Sequence, residues 1–90
     1  MAEKKAWREV LDAEAQRWSS MSSDELITEL HDVQAYEVER DSGKYQVEVE
    51  LIENTDAYVH VMIAVDDGRL PASLWPVTTT FVRPKRSSVR

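Results

Sequence analysis

Ninety residues without a single cysteine are enough for one domain, and they exclude disulfides, thiolate nucleophiles and cysteine-ligated zinc. The net charge of −6 argues against nucleic-acid binding through the fold, because phosphate contacts need clustered cations. No apolar run approaches the length of a membrane span, so we expect a cytoplasmic chain that does not act at a membrane. No residue pattern indicates a cofactor or a metal ion.

The first third of the sequence predicts two helices. Between residues 2 and 19, apolar side chains recur at spacings of three and four residues, which is typical of an amphipathic helix. Trp7 and Trp18 fall on that apolar stripe. We interpret them as core anchors rather than as a ligand platform, because large aromatics dominate burial in small domains. Ser22 and Glu25 have the spacing of a capping box, which predicts a second, short helix over roughly residues 22–32.

From Ala35 onward the apolar period changes to two, which predicts strands. Four such segments follow one another, and the last, 77–82, is rich in β-branched residues. The predicted fold class is therefore α+β: two N-terminal helices packed on one face of a four-stranded antiparallel meander sheet, in the order α-α-β-β-β-β. Residues 1–82 are expected to form this domain, and residues 83–90 are expected to form a basic, disordered C-terminal tail.

Hairpin registers follow from the turns and from the need to keep apolar residues on one face. Closing the first hairpin on Ser42 and Gly43 pairs Val38 with Val47 and places Glu37 opposite Glu48. Closing the second hairpin on a three-residue loop, 54–56, pairs Val49 with Val61 and Val47 with Ile63. The same register places His60 opposite Glu50.

An acidic surface follows from these registers. Four carboxylates share the sheet face away from the helices, with His60 beside them: Glu37, Glu39, Glu48 and Glu50. Three functional interpretations are open, namely a docking surface for a basic partner, a divalent-cation site, and a carboxylate–histidine acid–base pair. The alternative is a solvated sheet face that confers solubility. Like charges placed directly opposite each other cost stability, which argues for a function.

The third strand, 57–65, is apolar on both of its faces. Tyr58 and Met62 are therefore expected on the face away from the helices, with Ile52 and Val82 nearby. Exposed apolar surface of this kind marks self-association or a partner. The alternative is that the long connection 66–75 folds back, so that Leu74 and Trp75 cover this surface.

The leading hypothesis is a non-enzymatic interaction or accessory protein that binds another protein or itself. Homodimerisation through the open sheet face or through the final, threonine-rich edge strand would use this surplus surface. The alternative is a small-ligand-binding or catalytic domain. It would combine the 66–75 connection, with Asp66, Asp67 and Trp75, and the pair of His60 and Glu50. Nucleic-acid contact through the basic tail is a weaker hypothesis.

Overall fold

Two helices precede a four-stranded sheet in the computed structural model of the chain, which describes residues 2–40, 43–66 and 77–85. The elements are α1 (Ala2–Ser19), α2 (Ser23–Glu29), β1 (Gln34–Arg40), β2 (Gly43–Asn54), β3 (Tyr58–Asp66) and β4 (Val77–Pro84). All neighbouring strands are antiparallel, and the spatial order is β1-β2-β3-β4. The predicted α+β meander with helices packed on the sheet is confirmed.

Helix α2 begins at the predicted capping box. The Ser22 hydroxyl accepts the Glu25 N–H at 3.1 Å, and the Glu25 carboxylate accepts the Ser22 N–H at 2.9 Å. The helix ends at Glu29, earlier than predicted. Its end is fixed by the side chain of Gln34, whose amide donates to the Glu29 carbonyl at 3.0 Å and satisfies a group of the last turn.

The core lies between the helices and the inward-facing side chains of β2 and β3. Alternate residues of these strands are fully or almost fully buried, namely Val47, Val49, Val59, Val61, Ile63 and Val65. Val10, Leu11 and Trp18 of α1 and Leu26 of α2 belong to the same cluster. This strict alternation directs every other side chain of the sheet to the opposite face.

Helix α1 lies close to β3 and β4, and aromatic side chains fill the space between it and the first two strands. The Trp7 ring packs edge-on against Tyr45, with 6.4 Å between ring centroids. The Trp18 indole N–H donates to the Tyr36 hydroxyl at 2.8 Å. The interpretation of both tryptophans as core anchors is confirmed, since Trp18 is buried and Trp7 packs on the cluster.

The register of the first hairpin differs from the prediction by two residues. Arg40 pairs with Gly43, so Tyr36 lies opposite Val47 and Val38 lies opposite Tyr45. Side chains alternate with period two, so this slip leaves every residue on its predicted face, and the apolar pattern alone does not distinguish the two registers. Residues 41 and 42 lie outside the described residues.

The second hairpin also differs from the prediction, both in a two-residue shift of its register and in a β-bulge near its turn. Val47 pairs with Val65 and Val49 with Ile63, and the register then shifts between Leu51 and Glu53. The extra residue in β2 means that no single turn length gives the correct pairs along the whole hairpin.

Strand β4 continues to Pro84, two residues beyond its predicted end. The Lys85 N–H then donates to the Ala57 carbonyl at 2.9 Å, which ties the strand end to the turn between β2 and β3. The first residues assigned to the tail, 83 and 84, therefore belong to the sheet. Residues 86–90 lie outside the described residues, and their predicted disorder stays a prediction.

Candidate functional site: the uncovered sheet face

One face of the sheet is not covered by any described helix, and it carries most of the predicted site residues. The four predicted carboxylates stand on this uncovered face, and all are exposed except Glu50, which is half-buried. We call this set the acidic band; it consists of Glu37, Glu39, Glu48 and Glu50. Tyr58, His60 and Met62 of β3 stand on the same face and are partly buried.

The acidic band does not contain the opposed carboxylates that the sequence predicted. Glu37 lies opposite Gln46 and Glu48 lies opposite Ala35, because of the two-residue difference in register. Lys44 is placed among the acids, opposite Glu39 and with its Nζ 3.8 Å from Glu37 Oε2. The destabilisation expected from directly opposed carboxylates therefore does not arise between Glu37 and Glu48, and it no longer favours a function for this face.

The uncovered face carries an excess of acidic residues among the residues that the structure describes. Six carboxylates stand on it, the acidic band together with Glu53 and Asp66, and Lys44 is the one lysine found among them in the described strands. This excess agrees in sign with the chain as a whole, which carries 17 acidic and 11 basic residues.

His60 contacts Glu53 rather than the predicted Glu50. The bulge places Glu53 opposite His60, with 3.6 Å between Glu53 Oε1 and His60 Nδ1, and Glu50 lies opposite Met62. The Tyr58 hydroxyl donates to the same Glu53 oxygen at 3.1 Å. This hydrogen bond to a carboxylate raises the pKa of Tyr58, because it favours the protonated hydroxyl.

Glu53 was missed by sequence reasoning, although the sequence contains a signal for it. Leu51 and Ile52 are adjacent apolar residues and interrupt the alternation of β2. Such an interruption within a strand is where an extra, bulged residue is accommodated. If Ile52 is taken as the bulged residue, every later residue of β2 moves by one position relative to β3, and Glu53 lies opposite His60.

Within residues 2–40, 43–66 and 77–85, the cluster of Glu53, Tyr58 and His60 lies on the sheet surface, and its side chains are partly or largely exposed. A cavity of about 580 Å³ in the described part of the chain lies elsewhere, between the start of α2 and the end of β4. The predicted cross-strand pairing of His60 with Glu50 is wrong, because Glu53 lies opposite His60.

Exposed apolar side chains flank His60 on both sides. Ile52 stands at the bulge and is 43% exposed, while Val82 pairs with His60 from β4 and is 52% exposed. Together with Tyr58 and Met62 they form what we call the apolar patch. The sequence analysis also proposed that Leu74 and Trp75 cover this patch. Both belong to residues 67–76, which lie outside the described residues.

Neither a metal centre nor a membrane span is found in the described parts of the chain. No three histidine, aspartate or glutamate side chains within 2–40, 43–66 and 77–85 converge as a ligand set. No helix among those residues combines the length and the apolar character that crossing a bilayer requires.

Comparison with known proteins gives no match to a family model, to a curated protein or to a solved structure.

Proposed function

We propose that this chain is a non-enzymatic protein-interaction module, and that it binds a basic, amphipathic segment of a partner protein on the uncovered face. The observation that carries the proposal is the division of that face. Six carboxylates and one lysine provide its charge, and the apolar patch adjoins them directly, with Glu50 opposite Met62 in neighbouring strands.

Charge complementarity defines one half of the partner. A face with this excess of carboxylates attracts clustered lysine and arginine, and it raises the rate at which such a segment is encountered. Exposed ion pairs contribute little affinity individually, about 0.2–1 kcal/mol each. The acidic band therefore supports orientation and partner choice more than it supports strength of binding.

The apolar patch supplies the remaining affinity. Burial of exposed apolar area stabilises by about 25 cal/mol per Å², and Ile52 and Val82 each expose about half of their surface. Neighbouring strands are about 4.8 Å apart, so a helix of about 10 Å diameter laid along them spans the boundary between the acidic band and the patch. Such a helix presents basic residues along one side and apolar residues along the other.

The test uses a synthetic helical peptide of leucine and lysine with about 15 residues. Its length of roughly 22 Å matches the seven residues of β1, roughly 23 Å. We expect calorimetry to detect binding that weakens as salt is raised. The double variant Glu37→Lys with Glu48→Lys is expected to reduce the affinity at least about tenfold, since it reverses two charges of the acidic band.

The matched control reverses the same number of charges on the helices, at the exposed residues Asp12 and Glu29. Its net charge equals that of the first variant, and its affinity is expected to stay close to that of the unmodified chain. Equal losses in both variants would mean that the peptide responds only to overall charge, and the proposal would be abandoned.

A further inference from the structure

The two edges of the sheet differ sharply in charge. Strand β1 carries Glu37, Glu39 and Arg40 along its length. Strand β4 has no charged residue from Val77 to Val82, six residues in succession, and no described strand pairs with its outer side. An uncharged edge of β-branched residues is a template for the addition of another strand, whereas charged side chains protect an edge against it.

We propose that β4 pairs antiparallel with β4 of a second copy of this chain, so that two four-stranded sheets join into one of eight strands. This inference goes beyond the proposed function, because the dimer requires no other partner. An antiparallel pair of identical strands is isologous, which means that both copies use the same surface. At its two-fold axis, one residue of β4 pairs with the same residue of the second copy.

Side-chain alternation restricts the position of that axis. Paired residues must share a sheet face, so the axis passes through a residue position and not between two residues. An axis near the middle of β4, at Thr79 or Thr80, pairs the largest number of its residues. With the axis at Thr80, the exposed Val82 lies opposite Thr78 of the second copy. With the axis at Thr79, the partly buried Phe81 lies opposite the second copy's Val77. In both cases β-branched or aromatic residues become cross-strand neighbours, which are favourable pairs.

Electrostatics selects β4 rather than β1. In a β4 dimer the two β2 strands are separated by five strand spacings, roughly 24 Å. That distance exceeds the Debye length of about 8 Å at physiological salt, so the two acidic bands barely repel each other. Pairing through β1 would instead bring Glu37 and Glu39 of both copies to within one strand spacing.

The position of α1 is compatible with this arrangement. The helix packs on the sheet beside β3 and β4. The two α1 helices of a β4 dimer would then be neighbours on the same face of the joined sheet, where helices can pack against each other.

The first measurement is the mass in solution. Light scattering is expected to give twice the chain mass of 10.4 kDa. Thr80→Lys is expected to give the monomer mass, because it sets two like charges close together at the axis. Thr80 is exposed, so the fold of the individual chain should remain intact. Ala35→Lys is the matched control, since Ala35 is also exposed on the uncovered face, in the other edge strand. It is expected to remain dimeric.

The second measurement uses the absence of cysteine from the chain. Identical residues at the axis of an antiparallel pair lie about 4.5–5.5 Å apart between Cα atoms, which suits a disulfide. Thr79→Cys or Thr80→Cys is therefore expected to cross-link rapidly under mild oxidation, and Ala35→Cys slowly. A monomer mass at every concentration tested, or cross-linking through Ala35→Cys alone, would overturn the β4 dimer without affecting the peptide-binding test.

Discussion

The indole N–H of Trp18 and the hydroxyl of Tyr36 join helix α1 to strand β1 by a hydrogen bond of 2.8 Å. The same hydroxyl donates to the Glu14 carboxylate at 2.5 Å, and the Arg17 guanidinium lies over both aromatic rings. Tyr36 thus satisfies the polar group of a buried tryptophan and a carboxylate of the same helix. It links the C-terminal half of the helix to β1, at the opposite edge of the sheet from β4.

Tyr36→Phe is expected to destabilise the fold by about 1–3 kcal/mol, because it leaves the buried Trp18 N–H without its acceptor. Urea denaturation measures the effect. Trp18→Phe removes the donor, so the double variant should cost less than the sum of the single variants. Strict additivity would show that the hydrogen bond contributes nothing.

The stability of the fold is expected to fall between pH 10 and pH 12 through Tyr36. Burial, and then the hydrogen bond to Glu14, raise the pKa of Tyr36 to about 12 in the folded chain. The unfolded chain loses this proton near pH 10, so the contribution is complete below pH 10 and disappears as the pH rises towards 12. The difference in urea midpoint between the unmodified chain and Tyr36→Phe should narrow over that interval, and parallel curves would contradict the assignment.

Ser22→Ala is expected to cost about 1 kcal/mol, since it removes the side-chain acceptor of the α2 capping box. For a domain of this size that corresponds to a loss of roughly 4–8 °C in melting temperature. Ser22→Asp retains an oxygen acceptor and should melt close to the unmodified chain. A similar loss of melting temperature in both variants would show that the capping hydrogen bond is not the cause.

The bulge predicts which carboxylate acts on Tyr58. Glu53→Gln is expected to lower the pKa of the Tyr58 hydroxyl, because the raised value comes first from its hydrogen bond to Glu53. Glu50→Gln is the control and should leave it unchanged, since Glu50 faces Met62. An NMR titration of the tyrosine ring carbons resolves the individual groups, and a response to Glu50→Gln would restore the register predicted from the sequence.

Ile52→Ser combined with Val82→Ser separates binding from folding. Both side chains are exposed, so we expect the free energy of unfolding to change by no more than about 0.5 kcal/mol per site. Affinity for the leucine–lysine peptide should nevertheless fall, because the apolar patch loses area to bury. Unchanged affinity would assign the binding to charge alone.

The spacing of the apolar residues and the capping box of α2 were sufficient to predict the helices and strands, their order, and the face on which each strand residue lies. The capping box of Ser22 and Glu25 depends on residues three positions apart, so it is a local feature that a sequence displays directly. The placement of Glu37, Glu48 and Val49 on their faces depends only on alternation, and the structure places them as predicted.

The predicted strand registers were wrong, because register depends on contacts across strands. Pairing Val38 with Val47 or with Tyr45 buries apolar side chains equally well, so the pattern does not choose between them. The bulge at Ile52 then decided the partner of His60. The hydrogen bonds of Tyr36 to Glu14 and Trp18 join residues about twenty positions apart and follow from tertiary packing alone.

The charged side chains of β1 have a consequence for how far the sheet can grow. Glu37 and Glu39 leave that edge unsuited to accepting a strand from another chain of the same negative charge. A chain with two receptive edges would polymerise into an open ribbon, because each added copy would present a new site. In the proposed β4 dimer, both outer edges would be β1 strands that carry these carboxylates, so strand addition would stop after a single step.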